Sequence, residues 1–192
     1  IYCNSDAHFE NLVITRGSAT DGGGMHVSGG SPTLDNCILT NNTAMNGGGM
    51  YNTASTPTLT DCTISNNGAL FWQEPDTGRG GGICNVGSTA SLVNTVLSGN
   101  SATWGGAICN TEGSTSSLAD CTVSGNIGKI SGGGIYSVLS SATLQDTAFC
   151  ANSPTHLIGA WDDLGGNTFS DECEGVPGFC LGDTNVDYNV DV

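Results

Sequence analysis

Aromatic rings and carboxylates crowd together at one place in this chain. The run Phe71-Trp72-Gln73-Glu74-Pro75-Asp76-Thr77-Gly78 leads into Arg79, and Trp104 follows 25 residues later. Rings take the apolar face of a sugar while carboxylates accept from its hydroxyls. Phe71, Trp72, Glu74, Asp76, Arg79 and Trp104 are therefore candidates for glycan binding. Two carboxylates held about 5 to 9 Å apart would do more, because that separation supports hydrolysis of a glycosidic bond. A plainer reading gives these rings only the task of covering an exposed edge of the fold.

A second polar set recurs at Asn11, Asn36, Asp61, Asn94, Asp120 and Asp146. If the repeats stack, Asp120 and Asp146 fall about 5 Å apart. Like charges that close repel or raise one pKa, and either hydration or a bound cation relieves them. A lyase would also need a basic residue beside the sugar acid. The chain has only Arg16, Arg79 and Lys129, and none aligns with that acid column. His8, His26 and His156 stand on separate segments. His26 shares its outward column with Tyr51 and Tyr136, the place of a stacked surface ring rather than a base.

These positions are set by a repeat. A Gly-Gly-Gly-apolar tetrad recurs as Gly22-Gly23-Gly24-Met25, Gly47-Gly48-Gly49-Met50, Gly80-Gly81-Gly82-Ile83, Gly105-Gly106-Ala107-Ile108 and Gly132-Gly133-Gly134-Ile135. Its starts are 25, 33, 25 and 27 residues apart, and the long interval reveals the insertion that carries Phe71 and Trp72. Later landmarks keep their order: Leu34, Cys37, Leu39 and Asn42, then Leu59, Cys62, Ile64 and Asn67, and so on to Leu144, Thr147, Phe149 and Asn152. Phe9, Leu12 and Ile14 fit the same template, with Gly17 in place of the Asn. Such a period marks a solenoid, whose repeats bury their apolar faces only by stacking.

Alternation in Cys62-Thr63-Ile64-Ser65 argues for strands, and the two residues between Leu59 and Cys62 place a bend. The expected fold is all-β: a right-handed parallel β-helix of about six rungs of roughly 25 residues, with three short strands per rung. Rungs stacked about 4.8 Å apart make a rod of roughly 30 Å. Residues 1–152 form the rungs, 153–180 an irregular disulfide-linked coil or cap, and 181–192 an acidic tail. Asn42, Asn67, Asn100, Asn126 and Asn152 read as a structural ladder, each at a tight bend where Asn tolerates the left-handed region, its amide donating to the next carbonyl.

Two resemblances attach to these residues. Gly105-Gly106-Ala107-Ile108 and Phe149-Cys150-Ala151-Asn152 resemble the paired repeats of chlamydial polymorphic outer-membrane proteins, and residues 1–152 resemble the wider pectate-lyase-like β-helix superfamily. That resemblance implies the fold and a surface location. It leaves activity open, because adhesin passengers, filament or spike proteins and polysaccharide-cleaving enzymes share the fold. Asp162-Asp163 are similar to the paired acids of β-helix hydrolases but lack the accompanying His-Gly or Arg-Lys pattern. The tail resembles the first half of a dockerin calcium loop, implying Asp183, Asn185, Asp187 and Asp191 as oxygen ligands. Tyr188 stands where that loop wants Gly, and the final bidentate acid is lacking.

Net charge is −15, so nothing would neutralise a nucleic acid's phosphates. No apolar run spans a bilayer. The start without Met or a signal peptide suits a mature secreted chain. Of nine cysteines, Cys37, Cys62 and Cys121 read as small core residues, because Thr95 and Thr147 share their column. Cys84 and Cys109 share another, and a bridge there must meet the constrained geometry of in-register neighbours. Cys150 with Cys173 is the best pairing for closing the last coil, and it favours an oxidising compartment.

The expected function is an extracellular, secreted or cell-surface, structural or adhesive solenoid, non-catalytic, needing no cofactor but open to calcium. The alternatives are a polysaccharide lyase or glycoside hydrolase of the same fold, or a glycan-binding module. Its expected partners are itself, stacked head to tail with Cys3 and Cys180 near opposite ends, and extracellular polysaccharide. Asn41-Asn42-Thr43 is the sole N-glycosylation sequon, with Asn41 pointing outward.

Overall fold

A computed structural model describes residues 1–69 and 77–173. Throughout these the chain is all β. It winds into a stack of rungs, each pairing in parallel with the rung before and the rung after. The second rung is typical, with segments Met25–Ser28, Thr33–Asp35, Ile38–Thr40 and Thr43–Ala44. The first two belong to a 12-stranded sheet, the third to a seven-stranded sheet and the fourth to a four-stranded one. Three sheets thus line the rod. The strand on the largest is divided by a bend in this rung and runs unbroken as Ile135–Gln145 in the sixth.

The register reproduces the sequence columns. Met25, Met50, Ile83, Ile108 and Ile135 stand one above another, as do Leu34, Leu59, Leu92, Leu118 and Leu144. Leu39, Ile64, Leu97, Val123 and Phe149 form the third apolar column. None of these side chains is more than 1% exposed, and each contributes about 1.5–3 kcal/mol through burial. A lone rung would leave all three of its core side chains in water, which is why the unit of stability is the stack.

Bends between strands take left-handed backbone. Asn36 (φ 48°), Asp61 (φ 54°), Asn94 (φ 46°), Asp120 (φ 53°) and Asp146 (φ 47°) turn the chain from the largest sheet into the seven-stranded one. The next bend departs from expectation. The ladder asparagines do not take the left-handed conformation; the residues before them do, namely Asn41, Asn66, Gly99, Gly125 and Ala151. The twist at the preceding residue swings the ladder side chain inward, where it is buried. The outer residue is left with the backbone that Asn and Gly tolerate best.

The ladder itself is continuous. Asn42 Nδ2 donates to Asn67 Oδ1 at 3.0 Å, Asn67 to Asn100 at 3.1 Å, Asn100 to Asn126 at 3.0 Å and Asn126 to Asn152 at 2.9 Å. Each of these acceptor carbonyls also takes the backbone N–H of the rung before. Gly17 N donates to Asn42 Oδ1 at the first rung. A second row lies inside the largest sheet: Asn52 donates to Asn85 at 2.8 Å, Asn85 to Asn110 at 2.9 Å, and Asn110 to the Ser137 hydroxyl at 3.2 Å. Its first carbonyl, Asn52 Oδ1, has no hydrogen-bond partner, because Val27 stands below it and offers no donor.

The thiol column follows the same economy of polar groups. Cys62 Sγ donates to Thr60 O and Cys121 Sγ to Ala119 O, as Thr95 and Thr147 hydroxyls do to the carbonyls two residues back. Thiol and hydroxyl are interchangeable there. Burial pushes Cys62 and Cys121 up to about 11, so both remain protonated. Cys84 and Cys109 are also free thiols.

Pairing continues past residue 152. Leu157–Asp163 pairs with Ile135–Gln145, and Thr168–Ser170 with Ala148–Cys150. Phe169 stacks on Phe149 at 5.1 Å, and Asn167 Oδ1 accepts from Thr147 N. The segment expected as an irregular coil therefore supplies most of a seventh rung. The Cys150–Cys173 disulfide forms as expected, spanning 23 residues. Opening it with Cys173→Ala should cost about 3 kcal/mol by loss of the loop constraint, read as a lower denaturation midpoint. An unchanged midpoint would show that strand pairing alone holds the last rung.

Candidate functional site

Arg79 and Trp104 stand on neighbouring rungs, joined by a parallel backbone bridge. Asn46 bridges Arg79 on its other side, and Asp21 bridges Asn46. Asp21, Asn46, Arg79 and Trp104 thus form one column, set immediately before the glycine tetrads. Asn46 Nδ2 donates to Asp21 Oδ1 at 2.8 Å. The sequence placed Arg79 and Trp104 at one edge of the rod, and the structure brings them together. Phe71, Trp72, Glu74 and Asp76 lie outside the described residues, as do Asp183, Asn185, Asp187, Asp191 and Cys180.

Beside this column runs another on the outer side of the largest sheet: Tyr2, His26, Tyr51, Cys84, Cys109 and Tyr136. Tyr2 meets His26 edge to face at 5.3 Å, and His26 meets Tyr51 likewise at 5.0 Å. Trp104 lies 5.0 Å from Tyr136 and ties the two columns. The shared column expected for His26, Tyr51 and Tyr136 is present, with His26 next to Tyr51 and the two thiols standing between Tyr51 and Tyr136. Burial raises the Tyr51 hydroxyl above its ordinary value of 10.0, with Cys84, Asp21 and Glu112 adding to the shift and Arg79 opposing it. Tyr51 is thus a neutral hydroxyl that both donates and accepts. Indole, phenol, guanidinium and carboxylate on one outer face suit a polyhydroxylated ligand.

The other candidates are placed apart. Asp162 and Asp163 end the exposed strand Leu157–Asp163, and Asp163 Oδ1 accepts from Gly165 N and Asn167 Nδ2, which makes it a turn former. Asp120 and Asp146 stand on successive rungs at the same left-handed bend. His8 Nδ1 meets Thr33 Oγ1 at 2.7 Å and Asp35 at 3.5 Å on an exposed strand. Among the described residues no group of three or more His, Cys, Asp or Glu is arranged to hold a metal ion. Cys3 is buried, its thiol on Ser5 O. Asn41 is exposed.

His156 lies against Phe149 and Phe169, at 6.3 and 6.0 Å between ring centroids, and its Nδ1 is 3.2 Å from Asn152 Nδ2. That amide cannot be turned over, because Asn152 Oδ1 already accepts from Asn126 N and Nδ2. An NH₂ group therefore faces His156, whose Nδ1 must accept, and the ring is neutral. Burial lowers its pKa below 6.5, with Asp171 opposing. Because the folded value is depressed, the stability this residue contributes is present above pH 6.5 and lost as pH falls through the folded value. Melting temperature should drop across that window. His156→Gln, whose carbonyl accepts without titrating, should flatten the drop; an equal drop in both proteins would place the acid sensitivity elsewhere.

A family model described as right handed beta helix region matches residues 1–149. No curated protein and no solved structure matches the chain.

Proposed function

The chain belongs to the right-handed β-helix family, and on that premise we propose that it is an extracellular structural or adhesive solenoid without catalytic activity. The observation that carries this reading is where the polar chemistry lies. Inside, buried amides hydrogen-bond from rung to rung in two rows. Outside, strands offer in-register hydroxyls such as Thr33, Thr58, Ser91, Ser117 and Thr143. A long, uniform, hydrated face of this kind suits display and adhesion more than the enclosed, desolvated site that catalysis favours. The Cys150–Cys173 disulfide favours an oxidising, extracellular setting.

Self-stacking extends the proposal. Phe9 and Ile14 are only half-buried, whereas Leu34 and Leu39 above them are fully buried. A further coil on that edge, from the same chain or another copy, would complete their burial and pair the open strands. A Cys3–Cys180 bridge between copies would require Cys3 to leave Ser5. Calcium held by Asp183, Asn185, Asp187 and Asp191 would moderate repulsion between chains of charge −15. Negative-stain imaging of native material tests the reading: rods or filaments are expected, and dispersed monomers that cleave polysaccharide would overturn it. If Asn41 carries a glycan, intact mass will exceed 19.4 kDa.

The second reading, a glycan-binding module, rests on Arg79 and Trp104 sharing an edge with Tyr51 and Tyr136. Trp104→Ala should then weaken retention on polysaccharide about tenfold, against a Tyr136→Ala protein that loses the same Trp104–Tyr136 ring contact, worth about 0.5–1.5 kcal/mol beyond its area, and so serves as the stability control.

A further inference from the structure

Cys84 and Cys109 differ from the other free thiols described. Cys37, Cys62 and Cys121 point inward and donate to backbone carbonyls two residues back, and Cys3 donates to Ser5 O. Cys84 and Cys109 alternate to the outer side of Ile83–Val86 and Ile108–Thr111 and stand opposite each other in register. Their column neighbours His26, Tyr51 and Tyr136 are partly exposed, yet the two thiols are 1% and 0% exposed. Adjacent strands lie about 4.8 Å apart, inside the Cα separation of roughly 4.4–6.8 Å that a disulfide needs. The same chain already holds one oxidised pair, Cys150–Cys173.

We infer that Cys84 and Cys109 are an oxidisable pair, closing a second disulfide that ties the fourth rung to the fifth on the outer face that bears Arg79 and Trp104. The oxidant is a low-molecular-weight disulfide. One cysteine thiolate attacks it, forming a mixed disulfide and releasing one small thiol. The second thiolate then attacks the mixed disulfide, forming the Cys84–Cys109 bond and releasing the other. Two chain thiols are oxidised, one external disulfide is reduced, and the two protons pass to the leaving thiolates. The neighbouring Cys109 thiol and burial push the Cys84 thiol well above its ordinary value, so exchange is slow on the closed stack and proceeds when the rungs open, during folding or in mild denaturant.

The test uses the full chain. It is unfolded in denaturant without reductant, so that Cys150–Cys173 stays closed, refolded with or without oxidised glutathione, alkylated with iodoacetamide under denaturing conditions, and examined by intact mass and non-reducing peptide mapping. Oxidation is expected to lower the number of alkylated thiols by two and to yield a Cys84–Cys109 cross-linked peptide. The Cys84→Ser and Cys109→Ser proteins, checked for native circular dichroism, should show no such loss. An unchanged thiol count, a bridge from Cys84 to another cysteine, or a loss of two that persists in Cys84→Ser would each overturn the assignment. If both serine variants fail to fold, the peptide map of the unsubstituted chain decides alone: the cross-link supports the pair, and its absence rejects it.

Discussion

Asn67→Leu is expected to lower the melting temperature by on the order of 10 °C, against almost no change for outward Thr63→Ser. Asn67 Oδ1 accepts from both Asn42 N, at 2.9 Å, and Asn42 Nδ2, at 3.0 Å, while its own Nδ2 donates to Leu39 O and Asn100 Oδ1. Leucine has similar volume and offers none of these. Both Asn42 and Asn67 are buried, so water cannot substitute. Leaving two donors unpaired costs about 1–3 kcal/mol each, and a chain of this size loses about 2–4 °C per kcal/mol. Thermal melts of the two variants decide it. Equal, small shifts would show that apolar stacking alone sets the rung spacing.

A larger loss is expected from Gly81→Ala, which should abolish cooperative folding. A Cβ at Gly81 would lie 2.5 Å from Gly106 O and 2.6 Å from both Ser101 N and Ser101 O. All three are backbone atoms of the next rung, held by the inter-rung hydrogen bonds of Gly81 and Ser101. Relief would require parting the stack, at more than about 4 kcal/mol. Gly113→Ala is the control. Unlike Gly81 it is a left-handed glycine (φ +74°), and nothing lies within 4 Å of the new methyl, so only the backbone penalty of about 1–2 kcal/mol is expected. At the third tetrad position the fifth rung carries Ala107, so a methyl is accommodated in that rung. Soluble yield and a calorimetric melt report the outcome; a cooperative transition in Gly81→Ala would refute the close-approach argument.

Columns that repeat in every rung are legible in the sequence. Apolar core, asparagine ladder and glycine tetrads each appear five times at one phase, so alignment alone stacks them. The second amide row escaped because its column changes chemistry along the rod: Cys3, Val27, Asn52, Asn85, Asn110 and Ser137. Only three members carry the signal, two places after the apolar end of the tetrad. Asn167 was missed for a similar reason, as an amide in a column of thiols and hydroxyls. At the candidate site, period-two alternation put Cys84 and Cys109 outside, and it cannot report that they are buried there. The edge shared by Arg79 and Trp104 was readable, because both precede a tetrad by the same interval.

The two amide rows also have a common sense. In both, Nδ2 donates to the following rung's side chain from Asn42 through Asn126 and from Asn52 through Asn110, and Oδ1 accepts from the preceding rung's amide from Asn67 through Asn152 and at Asn85 and Asn110. Strand dipoles largely cancel within a sheet, but these amide dipoles add. These two rows therefore carry a dipole of their own, negative toward the first rung, where Gly17 N meets the Asn42 carbonyl, and positive toward the last, where Asn152 faces the neutral His156. Hydrogen-bonded chains polarise one another, so the moment grows with the number of rungs. Two rods joined end to end gain by keeping the same sense, and an inverted junction sets like poles together.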